Sequence, residues 1–273
     1  MIFIPLYYQL LEAYHPIPYL PSTPNLILSI PTPIPALPQT SQVLGISTPL
    51  PAVGGEGLFV SLALLGDSMT DTLPQNIILN SLQKLFPSIK FNIYDYGYGS
   101  TNIESGLLRL TQKSTYLSED NPPLLDLKPD IIVIESFAYN NFGNSTSGLE
   151  RHRLTLQKMV DSIKKESPKS QIILAATIAP NSLNFSNGIK NLNLSSLEKS
   201  EKSSTIKLYL QNIINFANDN NLPLVNAYHP SLKNDEGMPE LISSSDHLHP
   251  SPLGAEFFSD LLVKTIKDNN LIR

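Results

Sequence analysis

Serine, histidine and aspartate are the residue types of nucleophilic acyl transfer, and this chain holds them in two short motifs. One is Gly66-Asp67-Ser68; the other is Ser245-Asp246-His247-Leu248-His249-Pro250. A serine hydroxyl becomes a nucleophile when a neighbouring base takes its proton, and imidazole is the side chain basic near neutrality. A carboxylate three residues before His249 on a bent loop can accept from one ring N–H, which leaves the other nitrogen to face a nucleophile. Ser68 is the obvious nucleophile. Taken singly, each motif also has a plainer reading, Gly66-Asp67-Ser68 as an ordinary strand-to-helix turn and Asp246 with His249 as a capping acid beside a surface histidine.

The elements around these motifs place them. An apolar run over 58–65 stops at Gly66 and a small polar cluster, with a helical pattern after it, so it predicts strand, tight turn, helix. Ser68 then stands at the carboxyl end of a buried strand beside a helix N-terminus, where free N–H groups favour negative charge. Leu79, Leu82, Leu85 and Phe86 recur at helical spacing. A strand over 91–94 exits through Asp95-Tyr96-Gly97-Tyr98-Gly99-Ser100-Thr101 into a helix carrying Ile103, Leu107, Leu108 and Leu110. Ile131-Ile132-Val133-Ile134 is the clearest strand, and a polar, aromatic loop over 135–143 follows it. A helix over 149–166, a strand over 171–177, an Asn- and Ser-rich loop over 180–196, a helix over 197–220 and a short strand over 223–226 complete the alternation. Ser251-Pro252 opens the last helix with a cap and a first-turn proline. Five strands separated by helices predict an α/β fold, a five-stranded parallel sheet in flavodoxin-like order, rather than a barrel.

At 273 residues the chain can bury a sizeable core, and 41% hydrophobic with 16% charged residues is a globular composition. A net charge of −5 without a basic patch gives no electrostatic reason to expect a nucleic-acid partner. The absence of cysteine removes disulfides, thiol catalysis and cysteine-bound zinc. Residues 1–11 are apolar but carry no Lys or Arg, and Lys84 is the first such residue, so the charged region of a signal peptide is missing. Pro5 and Glu12 break the run well short of a transmembrane span. About half of the 23 prolines precede residue 54, so 1–56 is expected to be a proline-rich arm or linker and 57–273 the catalytic domain. The arm and its lack of basic charge suit a tether to a cell surface; an extracytoplasmic or surface location is slightly favoured over the cytoplasm, with the compartment itself left open.

The combination of motifs resembles the SGNH (GDSL) hydrolase family. Gly66-Asp67-Ser68, Gly99-Ser100-Thr101 after the second strand, Asn140 after the third, and Asp246-His247-Leu248-His249 before the last helix stand in the family's order, over roughly residues 57–273. The resemblance implies a three-layer α/β/α fold and hydrolysis of carboxylic esters through an acyl-enzyme, without cofactor or metal. Carried over by position, Ser68 is the nucleophile, His249 the general base and then acid, and Asp246 its orienting carboxylate. The oxyanion hole would combine the backbone N–H of Ser68, the backbone N–H of Gly99 and the side-chain amide of Asn140. This chain departs from the family's Gly-x-Asn-Asp block with Ala138-Tyr139-Asn140-Asn141, and its second block is compressed. Asn141 therefore competes with Asn140, and Gly97 with Gly99; the family's spacing from Ala138 prefers Asn140, and the small polar Ser100-Thr101 that follow, as in the family, prefer Gly99.

The expected substrate is a small ester or an acyl group, such as acetyl, on a carbohydrate. Alternatives are an O-acyltransferase acting on a sugar hydroxyl and a carbohydrate-binding module that kept the fold without turnover. Asp246, His247, His249 and His229 are candidate metal ligands by type, but the loop does not require them to converge, so no metal is expected. His152, between Arg151 and Arg153 on a helix, is expected on a solvated face. Tyr96, Tyr98, Phe137, Tyr139 and Phe142 fall in loops near Ser68, as pocket walls or as core residues closing the top of the sheet.

Overall fold

A computed structural model describes residues 58–272 of the chain. The arm or linker expected over 1–56 lies outside the described residues.

Five parallel strands form the sheet: β1 (Phe59–Gly66), β2 (Lys90–Gly97), β3 (Ile131–Glu135), β4 (Gln171–Ala176) and β5 (Leu224–Asn226). Their order is β2-β1-β3-β4-β5. The flavodoxin-like α/β/α arrangement is thus observed, with its topological switch beside β1 and β3. Alternation explains how one sheet serves two cores, because successive side chains point to opposite faces. Ala63, Leu65, Ile132, Ile134, Leu174 and Ala176 join one core. Leu62, Leu64, Ile131, Val133, Ile173 and Ala175 join the other. Both faces are covered, so the central strands are apolar nearly throughout.

The short helix α1 (Ser68–Asp71), α2 (Gln75–Leu85) and α6 (Pro252–Asp268) lie on one face, contributing Met69, Ile78, Leu82, Phe258 and Leu262. On the other face lie α3 (Ile103–Thr111), α4 (Thr146–Glu166) and α5 (Ser196–Asp219). Their side chains there include Ile103, Leu110, Leu156, Met159, Ile206 and Ile213. The helix starts follow from capping chemistry. Asn102, Ser145, Ser195 and Ser251 each accept a backbone N–H of the first turn of their helix. Glu198 closes a capping box on Ser195. No helix among the described residues is long and apolar enough to cross a membrane.

Strands β1 and β2 end in register, with Gly66 beside Gly97. The residues two positions further on, Ser68 and Gly99, therefore leave the sheet together. Two short hairpins add to the predicted elements, Ser114–Tyr116 with Glu119–Asn121 and Leu232–Lys233 with Glu236–Gly237. Segments of two or three residues are too short to show a period, so the hydrophobic pattern did not reveal them.

Candidate active site

The turn after β1 is built around Asp67. Its backbone is extended and its side chain accepts the Met69 N–H at 2.8 Å, capping α1. Ser68 is the first helical residue, so its N–H has no acceptor within the helix. The helix expected behind Ser68 is a single turn, ended by Thr72 and separated from α2 by Pro74. Four residues sum little macrodipole, so what this turn offers a developing anion is individual N–H groups. Gly66 is required by packing. A Cβ there would stand 1.9 Å from Thr70 Oγ1 and 2.8 Å from Glu135 Cβ.

Asp67 is fully buried, and burial pushes its carboxyl above the ordinary range against the Met69, Asn140 and Glu135 hydrogen bonds. Its second oxygen accepts Asn140 Nδ2 at 2.9 Å. Asn141 turns back into its own loop, donating to the Ala138 carbonyl and accepting the Gly143 N–H. Of the two asparagines, Asn140 is the one joined to the serine turn. One Asn140 amide hydrogen is held by Asp67 and the other is left to donate elsewhere.

The two glycines also separate. Gly97 donates its N–H to Asp95 Oδ1 at 2.8 Å, and a Cβ on it would meet the Asp71 backbone nitrogen at 2.4 Å. It lets β2 approach α1. Gly99 stands beside the serine, its Cβ position 3.8 Å from Ser68 Cβ. The Gly99 N–H donates to the Tyr116 hydroxyl at 2.9 Å, and that hydroxyl donates to Asp71 Oδ2 at 2.7 Å. Tyr116 also stacks on Tyr98, with ring centroids 4.4 Å apart. An acyl oxygen bound by the Gly99 N–H must therefore replace the Tyr116 hydroxyl.

On the loop before α6, Asp246 Oδ1 accepts the Leu248 and His249 N–H groups. Its Oδ2 lies 2.9 Å from His249 Nδ1. Burial pushes this carboxyl up, but the His249 ring and the two backbone donors outweigh it, and Asp246 titrates below the ordinary range. The opposite nitrogen, His249 Nε2, is buried without a hydrogen-bond partner, so no bond to Ser68 is made in this arrangement. Burial raises both Asp67 and Asp71, which lie on either side of Ser68 in the turn, and the ring is close enough for its charge to oppose that rise. Hydrogen bonds of this kind commonly tighten only when substrate is bound.

The other histidines face elsewhere. His247 Nδ1 pairs with the Asn187 carbonyl, and His229 pairs with Asn226 and Gln211. Among the described residues no three acidic or histidine side chains gather as a metal site. His152 corrects the sequence expectation of a solvated face, because it is 1% exposed, bonded to the Ser136 carbonyl and to Asn212, with its pKa driven down by burial to about 4. Flanking arginines suggested solvent, yet on a helix neighbouring residues point in different directions. Tyr96, Tyr98 and Phe137 are buried core residues closing the top of the sheet, while Tyr139 and Phe142 pack partly buried against it.

Four residues escaped the sequence reading: Asp71, Tyr116, Arg109 and Glu135. Asp71 lies one helical turn after Ser68, a visible spacing whose relevance depends on β2 passing beside it. Tyr116 sits in a hairpin with no periodic signal. Arg109 and Glu135 resemble a surface residue of an amphipathic helix and a strand-end acid, yet they are 1% and 2% exposed.

Comparison with known proteins locates this architecture. The lipase/acylhydrolase from Enterococcus faecalis has a similar solved structure, with 21% identity, 77% of this chain and 96% of that chain covered, and a TM-score of 0.56. A catalytic mutant of an acetylxylan esterase from Geobacillus stearothermophilus is similar at 16% identity over 76% of this chain and 94% of that one, with a TM-score of 0.52. Comparison with curated proteins finds no match. The sequence model of the GDSL-like lipase/acylhydrolase family matches residues 64–257, a span that runs from the end of β1 through both chemical motifs into α6. The chain belongs to the GDSL-like lipase/acylhydrolase family and is an ester hydrolase.

Proposed function

We propose that this hydrolase cleaves carboxylic esters through an acyl-enzyme on Ser68, with Asp246 and His249 completing the catalytic set. The observation that carries the reading is the 2.9 Å pair of Asp246 Oδ2 and His249 Nδ1, with Nε2 partnerless and the ring near the acids flanking Ser68. Asp246 fixes the tautomer by accepting the Nδ1 proton, which leaves Nε2 as the base.

Ser68 Oγ attacks the ester carbonyl carbon while His249 Nε2 takes the hydroxyl proton. The carbonyl π electrons move onto oxygen as the tetrahedral centre forms. Three donors suit that oxygen: the Ser68 N–H, the Gly99 N–H once Tyr116 gives way, and the second Asn140 amide hydrogen. Donors held in place by the fold need no reorganisation as charge appears, which makes this stabilisation effective. Collapse expels the alcohol oxygen, which takes the proton from His249. Water, deprotonated by His249, then attacks the Ser68 ester, and the returning proton restores the serine as the carboxylic acid leaves.

The substrate class is a small acyl ester, acetyl on carbohydrate being the leading instance. The acetylxylan esterase with a similar fold acts on esters of this kind. The test is Ser68→Ala in the full chain, assayed on nitrophenyl esters of increasing acyl length and on acetylated sugars, with a serine-reactive phosphonate as label. A folded variant without turnover and without label is expected. Parent-rate hydrolysis by it overturns the nucleophile. Transfer of acyl groups to a sugar acceptor in preference to water identifies an acyltransferase instead, and an unreactive Ser68 in the parent identifies a module without turnover.

A further inference from the structure

The peptide unit linking Gly66 to Asp67, immediately before Ser68, is held at both ends by buried side chains. The Gly66 carbonyl accepts the Tyr98 N–H at 3.0 Å and Arg109 Nη2 at 3.0 Å. The Asp67 N–H donates to Glu135 Oε2 at 3.2 Å. Glu135 Oε1 is 2.5 Å from Ser136 Oγ, which in turn accepts the Ala138 N–H, the first residue of the turn that carries Asn140. Phe137, which caps the start of that turn, has a φ of 51°, a conformation a bulky side chain adopts only when its surroundings impose it.

The energetics make these residues odd choices for stability alone. Arg109 is almost wholly buried, its Nε and Nη1 have no hydrogen-bond partner, and its plane lies 4.2 Å over the Tyr98 ring. Burial lowers its pKa to about 10 and pushes Glu135 well above the carboxylate range. One charge-assisted hydrogen bond, a ring face and the nearby charges of Asp67 and Glu135 offset only part of the cost of drying a guanidinium, and buried ionic groups of this kind are often replaced by apolar side chains of similar volume without loss of stability. What the two groups supply is direction. One grips the carbonyl end of the peptide and the other its N–H end.

We propose that Arg109 and Glu135 are positioning residues that set Ser68 against Asn140. They orient the peptide leading into Ser68, and Glu135 acts through Ser136 on the turn bearing Asn140. The inference rests on the proposed roles of Ser68 and Asn140. Misplacing reacting groups by about 1 Å can lower a rate on the order of 100-fold without touching the reacting atoms.

The test uses Arg109→Met, Glu135→Leu and Glu135→Gln, with kcat and KM measured well below each thermal midpoint and the rate of phosphonate labelling followed alongside. Arg109→Met and Glu135→Leu should lower kcat and labelling between about 10- and 100-fold with KM nearly unchanged. Glu135→Gln, which can still accept from Asp67 and pair with Ser136, should keep kcat within about threefold of the parent. Parent kcat and labelling in Arg109→Met, with or without a changed melting temperature, would mean a structural role only and overturn the proposal. So would an equal loss in the Gln and Leu variants. If Glu135→Leu does not fold, Arg109→Met and Glu135→Gln decide. Failure of the underlying reading is distinguishable, because it shows as activity surviving in Ser68→Ala; failure of this one shows as an inactive Ser68→Ala beside fully active clamp variants.

Discussion

Asp67 and Asp246 begin from the same local geometry and end in opposite electrostatic states. Each accepts the backbone N–H two residues ahead, Met69 at 2.8 Å and Leu248 at 2.9 Å. Each gives its other oxygen to a side chain at 2.9 Å, Asn140 for Asp67 and His249 for Asp246. Asp67 is nevertheless raised and Asp246 lowered. Asp67 is fully enclosed beneath the serine turn with Glu135 as a second buried acid, whereas Asp246 keeps contact with solvent and faces a ring able to carry positive charge. Local hydrogen bonding builds the turn; burial and the partner's charge decide whether the acid ionises.

The largest expected effect tests the Asp246 side. Asp246→Asn should keep the loop's backbone bonds but lose control of the His249 tautomer, lowering kcat on the order of 1,000- to 10,000-fold on a nitrophenyl ester. His247→Ala should change little, because that ring serves the Asn187 carbonyl.

On the Asp67 side the loss should be smaller. Asn140→Ala should lower kcat on the order of 100-fold with little change in KM, and Asn141→Ala should stay near the parent. Asp67→Asn should fall no further than Asn140→Ala, and the double variant should match Asn140→Ala alone, since Asp67 works through that amide. Additive losses in the cycle would show that Asp67 has a separate function.

A third expectation concerns Tyr116. Tyr116→Phe keeps the ring on Tyr98 but leaves Asp71 alone to compete for the Gly99 N–H, so KM for short-chain esters should drop and phosphonate labelling should quicken by about two- to fivefold, the yield of one modest hydrogen bond no longer competing. A slower variant would mean the hydroxyl assists the reaction.

The smallest effects are in stability against pH. Asp246, depressed in the folded state, contributes stability above the ordinary carboxylate pKa that is lost as pH falls through its lowered value. Asp67, raised, contributes stability below the ordinary value that is lost as pH rises through its elevated one. Thermal midpoints of Asp246→Asn and Asp67→Asn should therefore diverge from the parent on opposite sides, the former losing and the latter gaining relative stability as pH rises from about 4. His152, neutral in the core with its pKa lowered from 6.5 to about 4, adds acid sensitivity: stability is intact above 6.5 and lost as pH falls toward 4, by at most about 3 kcal/mol. A parent midpoint flat across that interval would contradict the buried, neutral ring.

Much of this was legible in the residues themselves. Strand-length apolar runs, the cap at Ser251, and glycines at strand ends are local signals, because backbone sterics and hydrogen bonding act over a few positions. The two motifs at 66–68 and 245–250 were legible for the same reason: the Asp67 cap and the Asp246–His249 pair close within three residues. Only the tertiary structure shows that Asn140 and not Asn141 bonds to Asp67, that Gly99 stands beside Ser68 while Gly97 bonds within its own strand end, and that His152 is buried, since each depends on what another element brings within bonding distance. It also placed Arg109, Glu135, Asp71 and Tyr116 around the serine turn, from positions 3 to 67 residues away in the chain. Local geometry is written in local sequence, but desolvation and charge are set by neighbours that only folding assembles.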